Sequence, residues 1–243
     1  MATADTRRLA AIMFTDMVGF SRQMGTDETR TLRLLEMHNH IIQQAVAARQ
    51  GHTIKTAGDG FLVEFPSVVH AVQCAQDIQA QFRAYNADKE KPEQIHLRIG
   101  IHLGDIVVQP NGDVLGDGVN IASRLQTLAE PDTVCISDVV YRDIAKKLSL
   151  GTVISLGRPT LKNIAERFQV YALLQQPPSG IRQTLGIQWL KLKQKKRTLQ
   201  GAAVVVLLLL GAGAVTLRNR YFSALPMLPY PTNPPLSCWR SRT

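Results

Sequence analysis

Over residues 1–175 the chain switches between two hydrophobic periods. Residues 9–14 form a short apolar run of strand length. Residues 28–48 repeat apolar side chains at helical spacing, through Leu32, Leu35, His38, Ile42 and Ala45. Residues 52–56 and 61–65 read as two short strands around Ala57-Gly58-Asp59-Gly60, a hairpin signal. Helical spacing returns over 68–85, through Val68, Val69, Val72, Ala75, Ile78 and Phe82. Residues 95–108 read as a strand and 119–128 as a helix, with shorter strands near 133–136, 153–155 and 169–174. The order β-α-β-β-α-β, followed by extra C-terminal strands, predicts a ferredoxin-like α+β sandwich. Such a sandwich hosts many activities, so function has to be sought in particular side chains.

The pattern changes after residue 175. Gln175-Gln176-Pro177-Pro178-Ser179-Gly180 reads as a linker. Residues 199–217 contain no charged residue and include an unbroken run from Val204 to Leu210. As a helix this stretch spans roughly 28 Å, enough to cross the apolar part of a bilayer. Lys191, Lys193, Lys195, Lys196 and Arg197 precede it, and Arg218 and Arg220 follow. That imbalance predicts a single-pass segment in the inner (cytoplasmic) membrane with residues 1–175 on the cytoplasmic side. The expected organisation is a domain over 1–175, a linker and basic juxtamembrane segment over 176–198, a transmembrane helix over 199–217, and a Pro-rich, disordered tail over 218–243. The basic stretch, with Ile187, Trp189, Leu190 and Leu192, also suits an anionic lipid surface.

Charge supports this division. The net charge of +9 arises after residue 182, where nine Lys/Arg and no Asp/Glu occur. The part before it balances, so a basic nucleic-acid-binding face is not expected. A βαββαβ domain that binds RNA needs exposed aromatics on its central strands and a basic sheet, and this chain offers neither. The three cysteines, Cys74, Cys135 and Cys238, form no CxxC pair; the first two read as small core residues. The N-terminus lacks the long apolar run of a secretory signal.

Three segments carry candidate chemistry. In Phe14-Thr15-Asp16-Met17-Val18-Gly19-Phe20-Ser21 an aspartate closes an apolar strand and a small-residue turn follows. A carboxylate there can bind a hard cation, although an aspartate at a strand end is more often an N-cap or turn residue. In Lys55-Thr56-Ala57-Gly58-Asp59-Gly60 a tight turn presents a second carboxylate, and Asp-Gly is also a common hairpin turn. In this fold the first strand lies beside the hairpin, so Asp16 and Asp59 converge. Two carboxylates in one place repel unless a cation lies between them, which implies metal. The third segment runs from Asp113 through Leu115 to Arg124, with Asn120 and Arg124 on one face of a helix. An arginine there can steady charge on a transferring phosphorus, and an asparagine can orient a sugar.

Taken together, these segments resemble the catalytic domain of class III adenylyl/guanylyl cyclases over about residues 7–174. Leu156-Gly157, the run Leu161-Lys162-Asn163-Ile164-Ala165-Glu166, and Val170-Tyr171 resemble that domain's closing strands. The resemblance implies that Asp16 and Asp59 hold two divalent cations, Mg²⁺ or Mn²⁺. It makes Lys55 and Asp113 the base-reading pair, Asn120 the ribose-orienting residue and Arg124 the transition-state arginine. Phe20 and Lys162 fall at substrate-binding positions, Lys162 toward the terminal phosphates. A lysine donor with an aspartate acceptor matches the adenine edge, so the expected reaction converts ATP to 3′,5′-cyclic AMP and pyrophosphate. Leu115 stands where an aromatic residue is common. His102 reads as structural. In the family each site forms between two domains, so a homodimer is expected. The alternative is a catalytically silent cyclase-like module for dimerisation or nucleotide sensing.

Overall fold

The computed structural model describes residues 6–110 and 113–174. The linker, the candidate membrane helix and the Pro-rich tail lie outside the described residues. Among the described residues no helix is long and apolar enough to cross a membrane.

Among the described residues eight strands and five α-helices follow one another as β1 (Thr6–Met17), α1 (Phe20–Thr26), α2 (Glu28–Ala48), β2 (His52–Ala57), β3 (Gly60–Phe65), α3 (Val68–Asn86), β4 (Leu97–Val108), β5 (Val114–Leu115), α4 (Asp117–Leu128), β6 (Thr133–Ser137), α5 (Asp138–Ile144), β7 (Thr152–Gly157) and β8 (Val170–Leu174). They form one sheet in the order β2-β3-β1-β4-β6-β8-β7, with β5 paired to β4. The β2-β3-β1-β4 part is the expected βαββαβ sandwich, and the later strands extend it beyond β4. Only β4 and β6 run parallel, joined by the α4 crossover.

Alternation along β1 explains the layers. Ala11, Met13 and Met17 join the large core with α2, α3 and α5. Ala10 and Ile12 face the other way, into the smaller core with Ala122 of α4. Alternation along β4 has the same effect. Ile99 and Ile101 enter the large core, whereas Gly100 lies against α4. A Cβ on Gly100 would stand 2.2 Å from the Gln126 amide nitrogen and 2.4 Å from the Ala122 carbonyl oxygen. The absence of a side chain lets the helix backbone rest directly on the strand.

Several details differ from the sequence reading. The buried stripe of α2 runs through Thr31, Leu34, His38, Ile41, Ile42 and Ala45, and Leu32 is exposed. The two stripes share His38, Ile42 and Ala45, and packing against β3 and α3 turns Thr31, Leu34 and Ile41 inward in place of Leu32. The short helices α1 and α5 were not apparent, since seven residues hold too few turns to show a period. Strand β1 extends well beyond the apolar run because both of its edges are paired. Cys74 and Cys135 are free and buried, and burial pushes both thiols up to about 12.

Gly100→Ala is expected to destabilise the fold by on the order of 3 kcal/mol, because the groups it meets are backbone and cannot rotate away. Thermal unfolding monitored by circular dichroism measures this, and an unchanged Tm contradicts the packing described.

Candidate active site

Pairing of β1 with β4 sets Asp16 opposite Arg98, and the two side chains form an ion pair. The β2–β3 hairpin delivers the second carboxylate to the same place. Gly58 takes φ +61°, and only this first central residue of the two-residue turn is left-handed, as a type II′ turn requires. The turn therefore leaves Asp59 pointing at the end of β1, where its Oδ2 accepts a hydrogen bond from the Met17 N–H at 2.9 Å.

Burial holds the Asp59 carboxyl above its ordinary value, and the nearby Asp16 charge pushes the same way. The Met17 amide and the Arg98 guanidinium oppose this without overcoming it. The Nε of Arg98 is buried and has no hydrogen-bond partner. Phe20, at the start of α1, packs against the large core, and its ring edge lies 3.9 Å from where a Gly58 Cβ would stand. Beneath this corner His38 sits between the rings of Phe61 and Phe82, and burial lowers its pKa.

The two carboxylates suit a hard divalent cation, since their oxygens are the donors such ions take. Among the described residues Arg98 is the cation paired at this corner, and with it in place the Asp59 carboxyl is still raised, so the pair retains the capacity to gain from added positive charge. Among the described residues no third His, Cys, Asp or Glu joins them. A cation held there takes its other ligands from water, backbone or substrate oxygens.

A second group of candidates lies on the α4 side of the sheet. Asn120 is exposed and Arg124, one turn later, is half-buried. The Arg124 Nε donates to the Lys162 carbonyl oxygen at 3.2 Å, tying the β7–β8 connection to the helix. Asp113 precedes β5. Its carbonyl oxygen accepts from the Gln109 N–H at 2.9 Å, and its carboxylate accepts from the Val114 N–H at 3.0 Å. Leu115 is 50% exposed on β5. Lys55 is exposed on the edge strand β2, in register with Leu62 of β3.

The structure thus brings Asp16, Asp59 and Phe20 together, and Arg124 with Lys162. It does not join the two groups. Among the described residues no hydrogen bond or ion pair links Asp16 or Asp59 to Asn120 or Arg124. Asp16 faces the beginning of β4, and Asp113 lies beyond its end, beside Gln109. Arg98 was not singled out from sequence. Its only signal was a basic residue flanked by Leu97 and Ile99 near the start of β4, and its meaning depends on the β1–β4 register.

Replacing Asp59 by Asn separates the electrostatics from the hydrogen bond, because the amide oxygen still accepts from Met17. The folded protein disfavours the charged form of Asp59, so this carboxylate subtracts stability once it ionises. Asp59→Asn is expected to raise the metal-free Tm at pH 7 by about 2 °C. The gain should vanish as the pH falls through the raised Asp59 pKa, where the native side chain is neutral too. A lower Tm at pH 7 in thermal scans across pH contradicts this electrostatic assignment.

Comparison with known proteins agrees with this geometry. The family described as "Adenylate and Guanylate cyclase catalytic domain" matches residues 3–171. The chain is 41% identical over 166 residues to "Putative adenylate cyclase 3" of Rhizobium meliloti, covering 68% of this chain and 28% of that protein. It is 34% identical over 141 residues to an adenylate cyclase of Streptomyces coelicolor, covering 58% of this chain and 35% of the relative. Both relatives are therefore much longer than the part they share. A crystal structure described as an adenylate/guanylate cyclase/hydrolase from Silicibacter pomeroyi superposes with a TM-score of 0.66 at 37% identity, covering 70% of this chain and 99% of that one. Class III cyclases generally work with divalent metals, and the Asp16–Asp59 pair has the donor chemistry for them. The chain belongs to the adenylate and guanylate cyclase catalytic-domain family, the class III cyclases.

Proposed function

We propose that the chain is an adenylate cyclase that forms 3′,5′-cyclic AMP and pyrophosphate from ATP. The observation that carries this reading is the separation just described. One chain presents an acidic pair at the end of β1 and, apart from it, an asparagine–arginine–lysine group on α4 and the β7–β8 connection. Each group is half of a phosphoryl-transfer site, and two copies related by a twofold axis complete two such sites.

Asp16 and Asp59 of one copy would hold Mg²⁺ or Mn²⁺. Divalent cations there supply positive charge that favours attack of the ribose 3′-oxygen on the α-phosphorus. Arg98, delivered to the same corner by the β1–β4 register, would offer its guanidinium to phosphate oxygens. From the other copy, Asn120 orients the ribose and Arg124 stabilises charge developing on the α-phosphoryl group. The hydrogen bond from Arg124 to the Lys162 carbonyl positions the arginine and brings Lys162 toward the terminal phosphates. Phe20 borders the acidic pair on its apolar side.

Lys55 donates and Asp113 accepts, the pairing that adenine's ring nitrogen and amino group require. Guanine presents the opposite pattern at that edge, which favours ATP over GTP. The naming of two relatives as adenylate cyclases supports the same choice. The uncharged stretch at 199–217 and its basic flank support a single-pass tether to the inner membrane, with catalysis on the cytoplasmic side. Tethering raises the local concentration of the two copies.

Incubating the full chain in lipid with Mn²⁺ and either ATP or GTP, with products identified by mass, tests this reading. Cyclic AMP is the expected main product. Chelation of the metal should abolish it, and Arg124→Ala should lower it by about 10²–10³-fold. Cyclic GMP as the main product, or no cyclic nucleotide from folded protein, overturns the reading.

A further inference from the structure

A cleft of about 390 Å³ opens where β4 and β6 meet the β7–β8 connection. None of the residues assigned to the reaction above lines it. Its size falls within the range of small-molecule sites, about 300–1,000 Å³. Strands β4 and β6 are parallel neighbours. Helix α4, leaving β4, covers one face of the sheet, whereas α5, leaving β6, packs into the core on the other. The cleft lies between residues of these two helices, beside the carboxyl end of β6.

The walls combine a flat apolar surface with unpaired cations. Phe168 and Ile121 line the cleft, and the His102 ring stacks on Phe168 at 5.9 Å between centroids. Burial lowers the His102 pKa to about 4, so this ring is neutral near pH 7, and its Nδ1 lies 2.8 Å from the Ser137 hydroxyl oxygen. Arg142 is occupied by Asp138 at 2.9 Å. Arg158 and Arg167 are exposed at the rim, and neither makes an ion pair or hydrogen bond among the described residues. With Glu166 and Asp138 as the only acids lining the cleft, its three arginines leave one net positive charge.

We propose that this cleft binds a nucleotide carrying a single phosphodiester charge, with its base against Phe168 and Ile121 and its phosphate between Arg158 and Arg167. Paired guanidinium groups recognise phosphate oxygens in a fixed geometry, and planar bases stack on aromatic rings. Charge separates this ligand from a nucleoside triphosphate. Two free arginines near a glutamate balance one negative charge and leave most of a triphosphate's charge uncompensated. Cyclic AMP has the required chemistry, which would place a product-sensing site on the catalytic domain. The cleft also borders α4 at Ile121, next to Asn120, and the connection that carries Lys162. The binding itself does not depend on the activity proposed above.

Equilibrium dialysis of the full chain with labelled cyclic AMP, in EDTA, tests this. Saturable binding is expected. It should weaken by about tenfold or more in Arg158→Ala/Arg167→Ala, since two charge-assisted contacts are lost. It should persist in Asn120→Ala/Arg124→Ala, and neither adenosine nor inorganic phosphate at matched concentration should compete. Both arginines are exposed and unpaired, so the double variant should keep the native circular dichroism spectrum and Tm. Absence of saturable binding, retention in the Arg158/Arg167 variant, loss in the Asn120/Arg124 variant, or displacement by phosphate alone overturns the proposal.

Discussion

Two carboxylates forced to one strand end repel each other, and the architecture around them follows from the need to hold that arrangement. Asp16 is fixed by the register of β1 between β3 and β4, and Asp59 by a two-residue hairpin turn. Neither can retreat without breaking backbone pairing. Arg98, delivered by the same register, supplies partial compensation by its ion pair with Asp16, yet the Asp59 carboxyl remains raised by burial. The folded protein thus carries an electrostatic tension that added positive charge relieves. This is the physical reason the corner suits divalent cations.

The sheet that builds this corner also sets the other functional group apart from it. Helix α4 lies directly on β4 because Gly100 offers no side chain, and the helix carries Asn120 and Arg124 on its outer surface. Arg124 is held by the Lys162 carbonyl rather than by either carboxylate. Among the described residues Arg124 makes no hydrogen bond or ion pair with Asp16 or Asp59. Under the proposed function each of two copies supplies half of every catalytic centre.

Much of the frame was legible in the sequence because it rests on strong local signals. The hairpin announced itself in Gly58-Asp59-Gly60, and α2 begins and ends where its pattern predicted. Asp16 and Asp59 could be paired before any coordinates, because strand order in a βαββαβ fold places them together. Other features depended on tertiary context. The partnership of Arg98 with Asp16 is a matter of register, which a single strand does not reveal. The choice of Leu34 over Leu32 for the core was made by neighbouring elements. The cleft at His102 draws residues from α4, α5 and the β7–β8 connection, and no local motif links positions so far apart in the chain.

The central claim is that two half-sites from different copies complete one another, and mixing two inactive variants tests it most directly. Full-length Asp16→Ala and Arg124→Ala proteins, each inactive alone, would be co-reconstituted in lipid and assayed for cyclic nucleotide. A mixed dimer has one site with both defects and one with neither, so activity should return to a substantial fraction of the unmodified protein's value. Mixed dimers that form but stay as inactive as either variant alone would contradict a site shared between copies.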